Sequence, residues 1–309
     1  MAKVLITGGC GFIGSHIADA LLARGDAVVI LDDMSTGSLR NIAHIKDRIT
    51  LIEGSICDPE LVKKSMEGVD FVTHQAALAS VPRSIDDPVL TNKVNIDGTL
   101  NILWSAKQGG VKRVVVASSS SIYGDSEVSP KHEGLPLRPK SPYAFSKVAT
   151  EEYARIFFEV YGLNTVALRY FNIFGPRQAP DGPYAAVIPV FIECIKKGKR
   201  PKINGDGSFS RDFTYVSNAV SANLLAFSAP IESCGTMYNV GAGDQTSILH
   251  LYNTICDRLG KSDPPEFGPV RAGDVAHSKA DISKIKKGLG YKPLIGFEEG
   301  IGLTLAPLR

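Results

Sequence analysis

A tyrosine and a lysine four residues apart, Tyr143 and Lys147, stand in the stretch SPYAFSKVATEEYARI, residues 141–156. Pro142 suits the first position of a helix and Ser141 can cap ahead of it, so a helix is expected from 142. Spacing of four puts phenol and ammonium on one face of that helix. A free phenol, with a pKa of about 10, is a poor base at neutral pH. A cation held beside it favours the phenolate and lowers that value. The pair has the makings of a proton acceptor for a hydroxyl group. With ten tyrosines in the chain it says little alone, and the elements around it must decide.

Two such elements can be read. Arg113–Ala117 has the pattern of a strand and runs into ASSSSIYG, so Ser118, Ser119, Ser120 and Ser121 fall where a parallel strand ends. Hydroxyls at that edge of a parallel sheet face the crevice in which such folds bind cofactors. Nearer the N-terminus, VLITGGCGFIGS places Gly8, Gly9, Gly11 and Gly14 between a strand and a helix. Both G-x-G-x-x-G (9, 11, 14) and G-x-x-G-x-x-G (8, 11, 14) can be read. Glycines there let the backbone approach a pyrophosphate, and the helix start at Phe12 and Ile13 offers N–H groups and a positive dipole end. The next strand ends in Leu31-Asp32-Asp33, with Asp32 eighteen residues after Gly14. A carboxylate at that spacing suits the adenosine ribose and repels a 2′-phosphate, which favours NAD over NADP.

The chain as a whole must supply a scaffold for these pieces. Its 309 residues are 44% hydrophobic, enough for one large domain or two lobes. A net charge of +2 without charged blocks gives no reason to expect nucleic acid or a membrane surface as partner. No apolar run reaches the roughly 18–20 residues of a membrane span. The opening MAKVLITGG enters a strand pattern directly, so no signal peptide is expected. Five scattered cysteines suit reduced thiols in a cytoplasm, and sparse, unclustered histidines suggest no metal site.

Strands are expected at Lys3–Thr7, Ala27–Leu31, Ile49–Ile52, Phe71–Thr73, Arg113–Ala117 and Thr165–Arg169. Helices are expected at Phe12–Ala23, Pro59–Met66, 88–108 and 142–161. This alternation predicts an α/β fold, a Rossmann-type doubly wound parallel sheet covered on both faces. After about residue 172 glycine and proline become frequent, and helices are expected near 185–197, 217–228 and 247–259. The expected division is an NAD-binding domain over 1–171 and a smaller, mainly substrate-binding lobe over 172–309, with some segments returning to the first.

In order along nearly the whole chain stand TGGCGFIGS, LDDMSTGSLRN, HQAALASVPRSIDDP, NIDGTLNIL, ASSSSIYGD, SPYAFSK, LRYFNIFGPRQ, INGDGSFSRDFTYV and RAGDVAHSKADISK. On these motifs the chain resembles the extended short-chain dehydrogenase/reductase family, and within it the UDP-hexose 4-epimerases acting on UDP-glucose or UDP-N-acetylglucosamine. The resemblance implies NAD as cofactor, a UDP-sugar as substrate and a homodimer built on the helices at 88–108 and 142–161. It implies Ser119, Tyr143 and Lys147 as the catalytic set, with Lys147 also on the nicotinamide ribose. Around the cofactor it places Gly8, Gly11, Phe12, Ile13 and Gly14, then Asp32, Asp33, Ser35, Thr36 and Gly37. Farther along it adds Ser55, Ile56, Gln75, Ala76, Ala77, Asn95, Ser118 and Tyr170. Around the substrate it places Ser80, Arg83 and Ser119–Ser121, then Asn172, Ala186, Val187, Ile203 and Asn204. Arg211 and Arg271 complete the hold on the diphosphate, with Asp274 on the uridine ribose and Ser278 beside the sugar. The family usually has Asp where this chain has Ser55, a shorter side chain that can still hydrogen-bond.

The activity so implied is removal of a sugar hydroxyl proton by Tyr143 while NAD⁺ takes the C4 hydride, giving a 4-keto sugar that is reduced again on its other face. The small Ser278 predicts room for an N-acetyl group. Dehydratases and decarboxylases of the family carry acidic residues just after the catalytic Ser/Thr, where this chain has Ser120 and Ser121. A UDP-glucuronate 4-epimerase, with Arg83 a candidate cation for the sugar carboxylate, and a non-catalytic NAD or nucleotide-sugar binding protein are the alternatives.

Overall fold

The computed structural model describes residues 1–180, 186–270 and 275–306. Six strands follow the expected rhythm: β1 (Lys3–Thr7), β2 (Ala27–Asp32), β3 (Ile49–Glu53), β4 (Phe71–His74), β5 (Arg113–Ser119) and β6 (Thr165–Tyr170). A seventh, β7 (Thr236–Val240), comes from the second half of the chain and pairs in parallel with β6, Tyr238 opposite Leu168. The sheet runs β7-β6-β5-β4-β1-β2-β3, all parallel, so the expected doubly wound sheet is what the chain forms. The order reverses between β1 and β4, and there a crevice opens beyond the carboxyl ends of the strands.

Successive strand residues face opposite sides, and both sides are buried. Val4 and Ile6 join one apolar cluster with Ile17 and Leu21 of helix α1 (Phe12–Ala23). Leu5 joins the other, with Val62 of α2 (Pro59–Ser65). Next in the chain come α3 (Val81–Asp86) and α4 (Pro88–Asn92). The helix expected over 88–108 is interrupted: after α4 a π-helical turn spans Lys93–Asp97 before α5 (Gly98–Gln108). The wider turn carries the buried Asn95, whose amide accepts from Leu78 N–H at 2.8 Å and donates to Ser146 Oγ at 3.0 Å. A local hydrogen-bonding demand overrides helical periodicity.

Helix α6 (Pro142–Tyr161) begins as expected, with Ser141 Oγ accepting from Ala144 N–H at 3.1 Å, and ends at Gly162 in the left-handed conformation. Beyond it lie α7 (Val187–Lys196), α8 (Val216–Phe227) and α9 (Ile248–Leu259), close to the expected spans. Ala219 and Ala222 of α8 share the cluster of α1. In the smaller lobe, buried Asp212 accepts from the N–H groups of Ala242 (2.8 Å), Gly243 (3.0 Å) and Ala280 (3.1 Å), pinning the chain after Arg211. No helix among the described residues is long and apolar enough to cross a membrane.

Candidate active site

A cleft of about 1100 Å³ lies over the carboxyl ends of β1, β2, β4 and β5. Gly8, Gly11, Phe12, Ile13 and Gly14 form its floor. Gly11 caps α1 with no side chain to offer, so the first-turn N–H groups, which a helix cannot pair internally, face the cleft without a side-chain partner. A Cβ at position 14 would fall 2.3 Å from the Gly8 carbonyl oxygen, which shows how closely strand end and helix start are packed. A backbone cradle open to a negative group is what a pyrophosphate requires.

Asp32, Asp33, Ser35 and Thr36 line the adjoining wall. Asp32 is buried, and its carboxylate accepts from Cys10 N–H (2.8 Å) and Met34 N–H (2.9 Å). Burial holds its pKa above the ordinary carboxylate value. Asp33 is exposed and accepts from Ser35 N–H. Gly37 stands behind the wall, where a Cβ would lie 2.9 Å from Asp32 Oδ1. Ser55 Oγ accepts from Cys57 N–H at 3.2 Å and is not among the described residues lining the cleft, whereas its neighbours Gly54 and Ile56 are. Asn95 likewise acts from behind, through Leu78 and Ser146.

Gln75, Ala76, Ala77 and Tyr170 line the centre. The Tyr170 hydroxyl donates to Gln75 Oε1 at 3.3 Å and accepts from Asn223 Nδ2 at 2.7 Å. Asn223, on α8, carries no motif that marks it in the sequence. Its role follows only from α8 folding back onto the sheet.

Ser118, Ser119, Ser120, Ser121, Tyr143 and Lys147 come together on the facing wall. Lys147 is buried and its Nζ, 5.9 Å from the Tyr143 ring centre, donates to Ala117 O at 2.9 Å. Burial lowers Lys147 to about 8, with the Glu151 carboxylate pulling the other way. The expectation that Lys147 makes the phenol more acidic needs correction for the protein alone. Burial pushes Tyr143 above the ordinary phenol value, and only hydrogen bonding to Ser119 opposes it. One of the three ammonium donors goes to the strand carbonyl, and a phenolate in a dry site costs free energy.

On the substrate side Asn172, Arg211 and Ser278 line the cleft, Ser278 itself buried. Arg211 Nη1 donates to the carbonyls of Ser210 (2.9 Å) and Ala276 (3.2 Å), which fixes its direction. Ser80 caps α3 by accepting from Arg83 N–H, and neither side chain is among the described residues lining the cleft. Nor are Ala186 and Val187 at the start of α7, Ile203, which is buried, or Asn204. Arg271 and Asp274 lie outside the described residues. Lining residues to which the sequence assigns no role include Lys131, Gln178 at the end of LRYFNIFGPRQ, and the Asp125–Lys140 ion pair, 2.7 Å long. Among the described residues no cluster suited to a metal ion occurs.

A Rossmann sheet, an uncapped glycine turn and a Ser–Tyr–Lys set in one cleft define a dinucleotide-dependent enzyme of the extended short-chain dehydrogenase/reductase type. Residues 4–241 match the NAD dependent epimerase/dehydratase family, and the chain belongs to that family. It is 38% identical to a UDP-glucose 4-epimerase of Mycolicibacterium smegmatis across 99% of this chain and 98% of that protein. The UDP-N-acetylglucosamine 4-epimerase of Methanobrevibacter ruminantium, solved in complex with UDP-N-acetylmuramic acid, superposes with a TM-score of 0.94 at 40% identity, covering 99% of this chain and 97% of that one. A UDP-N-acetyl-alpha-D-glucosaminuronate decarboxylase of Bacillus cytotoxicus is 34% identical across 99% of this chain and 98% of its own length. The cofactor of the family is NAD, and the glycine cradle with Asp32 beside it fits that group.

Proposed function

We propose that the chain interconverts C4 epimers of UDP-hexoses, UDP-glucose with UDP-galactose and their N-acetylated counterparts. The observation that carries this reading is the meeting of Ser119, Tyr143 and Lys147 in the same cleft as the uncapped start of α1. Its test is to incubate the purified protein with UDP-GlcNAc, UDP-Glc and UDP-GlcA and follow each C4 epimer by NMR. Turnover of UDP-GlcA alone would favour the uronate epimerase, loss of carbon dioxide the decarboxylase, and silence on all a binding protein.

In this reading Tyr143 takes the proton of the sugar 4-hydroxyl and gives it back, so no net acid or base is consumed. When bound, NAD would supply a cationic ring that favours the phenolate and an acceptor and donor for the C4 hydride. Ser119 donates a hydrogen bond to the reacting oxygen. Lys147 contributes its charge and holds the nicotinamide ribose. Arg211, already oriented by two carbonyls, pairs with the diphosphate, with Arg271 as its partner and Asp274 on the uridine ribose. That anchor, remote from the sugar, leaves the ring free to turn.

Ser278 acts as a size gate for the N-acetyl group. Ser278→Tyr is expected to cut kcat/KM for UDP-GlcNAc roughly ten-fold or more while sparing UDP-Glc, an overpacking cost of about 1–3 kcal/mol. Equal losses on both sugars would remove Ser278 from that role.

The functional unit in this reading is a homodimer through α5 and α6. Leu103 and Phe157 are core residues, whereas Leu100, Trp104, Phe145 and Val160 stay exposed. Trp104→Glu is expected to convert the dimer to a monomer in light scattering, and an unchanged mass would place the interface elsewhere. We also propose the division at residue 171, with α8 and β7 as the segments of the second lobe that return to the cofactor domain.

A further inference from the structure

Beneath Tyr143 and Lys147 the same face of α6 carries a third functional side chain. Glu151 follows Lys147 by one helical turn, as Lys147 follows Tyr143. It is 2% exposed. One oxygen accepts from Ser118 Oγ at 2.5 Å and from Arg169 Nε at 2.8 Å; the other accepts from Arg169 Nη2 at 2.7 Å. Ser118 stands between Ala117, whose carbonyl holds Lys147, and Ser119, which bonds to Tyr143. Arg169 is in turn fixed by Tyr123, its Nη1 donating to the hydroxyl at 2.8 Å, and Tyr123 donates to Asn239 Oδ1 at 2.7 Å.

A carboxylate buried this deeply costs free energy unless fully paired, and packing alone could be met by apolar residues. A structural role is served by the pair with Arg169. The placement on the face of Lys147, bonded to the strand end that carries the catalytic serines, serves something more. We propose that Glu151 is a positioning residue of the reaction, holding the strand end through Ser118 and keeping the Lys147 ammonium charged beside Tyr143.

The surroundings of Lys147 leave that task to Glu151. From α6 it is faced by Tyr143 and Glu151, and from β5 by the Ala117 carbonyl and the serine hydroxyls. From β4 it meets His74, whose ring nitrogens lie 2.7 Å from Thr7 Oγ1 and 2.9 Å from Thr99 Oγ1. Burial, then the charge of Lys147, drives that ring down to about 3, so it is neutral near pH 7. The π-helical turn brings only the uncharged Asn95, through Ser146. From β6 come Tyr170, a neutral phenol hydrogen-bonded to Gln75 and Asn223, and Arg169, engaged by Glu151. Glu151 bonds to Ser118 and Arg169 rather than to Lys147 directly, and among the described residues facing Lys147 its carboxylate, one turn along the same helix face, opposes the loss of the ammonium proton by burial.

The inference rests on the proposed epimerase reading, and its test has a readout that does not. Removing the negative charge lets Lys147 lose its proton at lower pH. Glu151→Gln is expected to move the alkaline limb of kcat down by about one pH unit. At pH 8.5 the loss relative to the parent protein should exceed that at pH 6.5 by roughly five- to ten-fold. Glu151→Asp, which keeps the charge, should leave the limb in place. Should Glu151→Gln strand Arg169 and fail to fold, the double variant Glu151→Gln/Arg169→Gln removes both charges of the pair; a smaller downward move is then expected, because the positive charge leaves with the negative one, and no move at all would overturn the charge role. Independently of turnover, the Lys147 ammonium can be titrated by NMR of lysine-labelled holoenzyme, assigned by comparison with Lys147→Met. Its midpoint should fall by about one unit in Glu151→Gln. A uniform loss of kcat across pH with an unmoved Lys147 midpoint would reduce Glu151 to a structural role. A shifted midpoint in a protein that turns over no UDP-sugar would retain the inference and overturn the epimerase reading.

Discussion

Tyr143→Phe is expected to lower kcat for C4 epimerisation by about 10³-fold while NAD stays bound, the range in which a general base contributes. In the proposed reading the phenol oxygen carries the proton. Of the other titratable rings nearby, His74 is neutral with both nitrogens within hydrogen-bond distance of Thr7 and Thr99, and the Tyr170 phenol is raised by burial and hydrogen-bonded to Gln75 and Asn223. Lys147 is buried and gives one of its three N–H donors to Ala117 O. Removing one oxygen from a ring beside Ser119 leaves the glycine cradle and the Asp32 wall untouched, so cofactor content should match that of the parent. NAD released by heat treatment measures that content, and NMR of the sugar nucleotide measures kcat. Undiminished turnover would refute the assignment.

The second large effect concerns the turn before α1. Gly14→Ala would put a methyl group 2.3 Å from Gly8 O and 2.8 Å from Gly9 Cα. Both are backbone atoms, so the loop itself has to move. The expected cost is about 1–3 kcal/mol of stability. NAD affinity should fall by roughly 100-fold or more, because the first-turn N–H groups no longer converge on one point. Gly110→Ala is the control: Gly110 has φ +70° but a Cβ there would meet nothing within 4 Å. It should lose about 1 kcal/mol from backbone strain and bind NAD as before. Calorimetric titration with NAD and urea unfolding compare the two. Equal NAD affinity in Gly14→Ala would show that the glycine turn is not the cofactor cradle.

The sequence shows the framework where its signals are local. Strand and helix spans in the first half and the cap at Ser141 follow from periodicity and turn chemistry within short windows. The pieces that escaped depend on distant partners. TMYNV (236–240) has no feature announcing that it will lie beside β6, some seventy residues earlier. The break at 93–97 answers to the backbone of Leu78, which helical periodicity does not register. Within the site, the glycines, the serines, Tyr143 and Lys147 stand in motifs and converge as expected. Asn223 and Lys131, outside any motif, reach the cleft or its supports through a returning helix and a loop. Spacing places Lys147 beside Tyr143 but does not register burial, which raises the phenol in the protein alone.

The returning strand has an engineering consequence. Because β7 covers the flank of β6, a fragment ending near residue 171 would expose a row of unpaired amides and carbonyls beside Val166, Ala167 and Leu168. It would also lose Asn223 from Tyr170 and Asn239 from Tyr123. Such a fragment invites strand-to-strand self-association, so the dinucleotide module cannot simply be excised or transplanted, and chimeras with other sugar-binding lobes must bring their own closing strand.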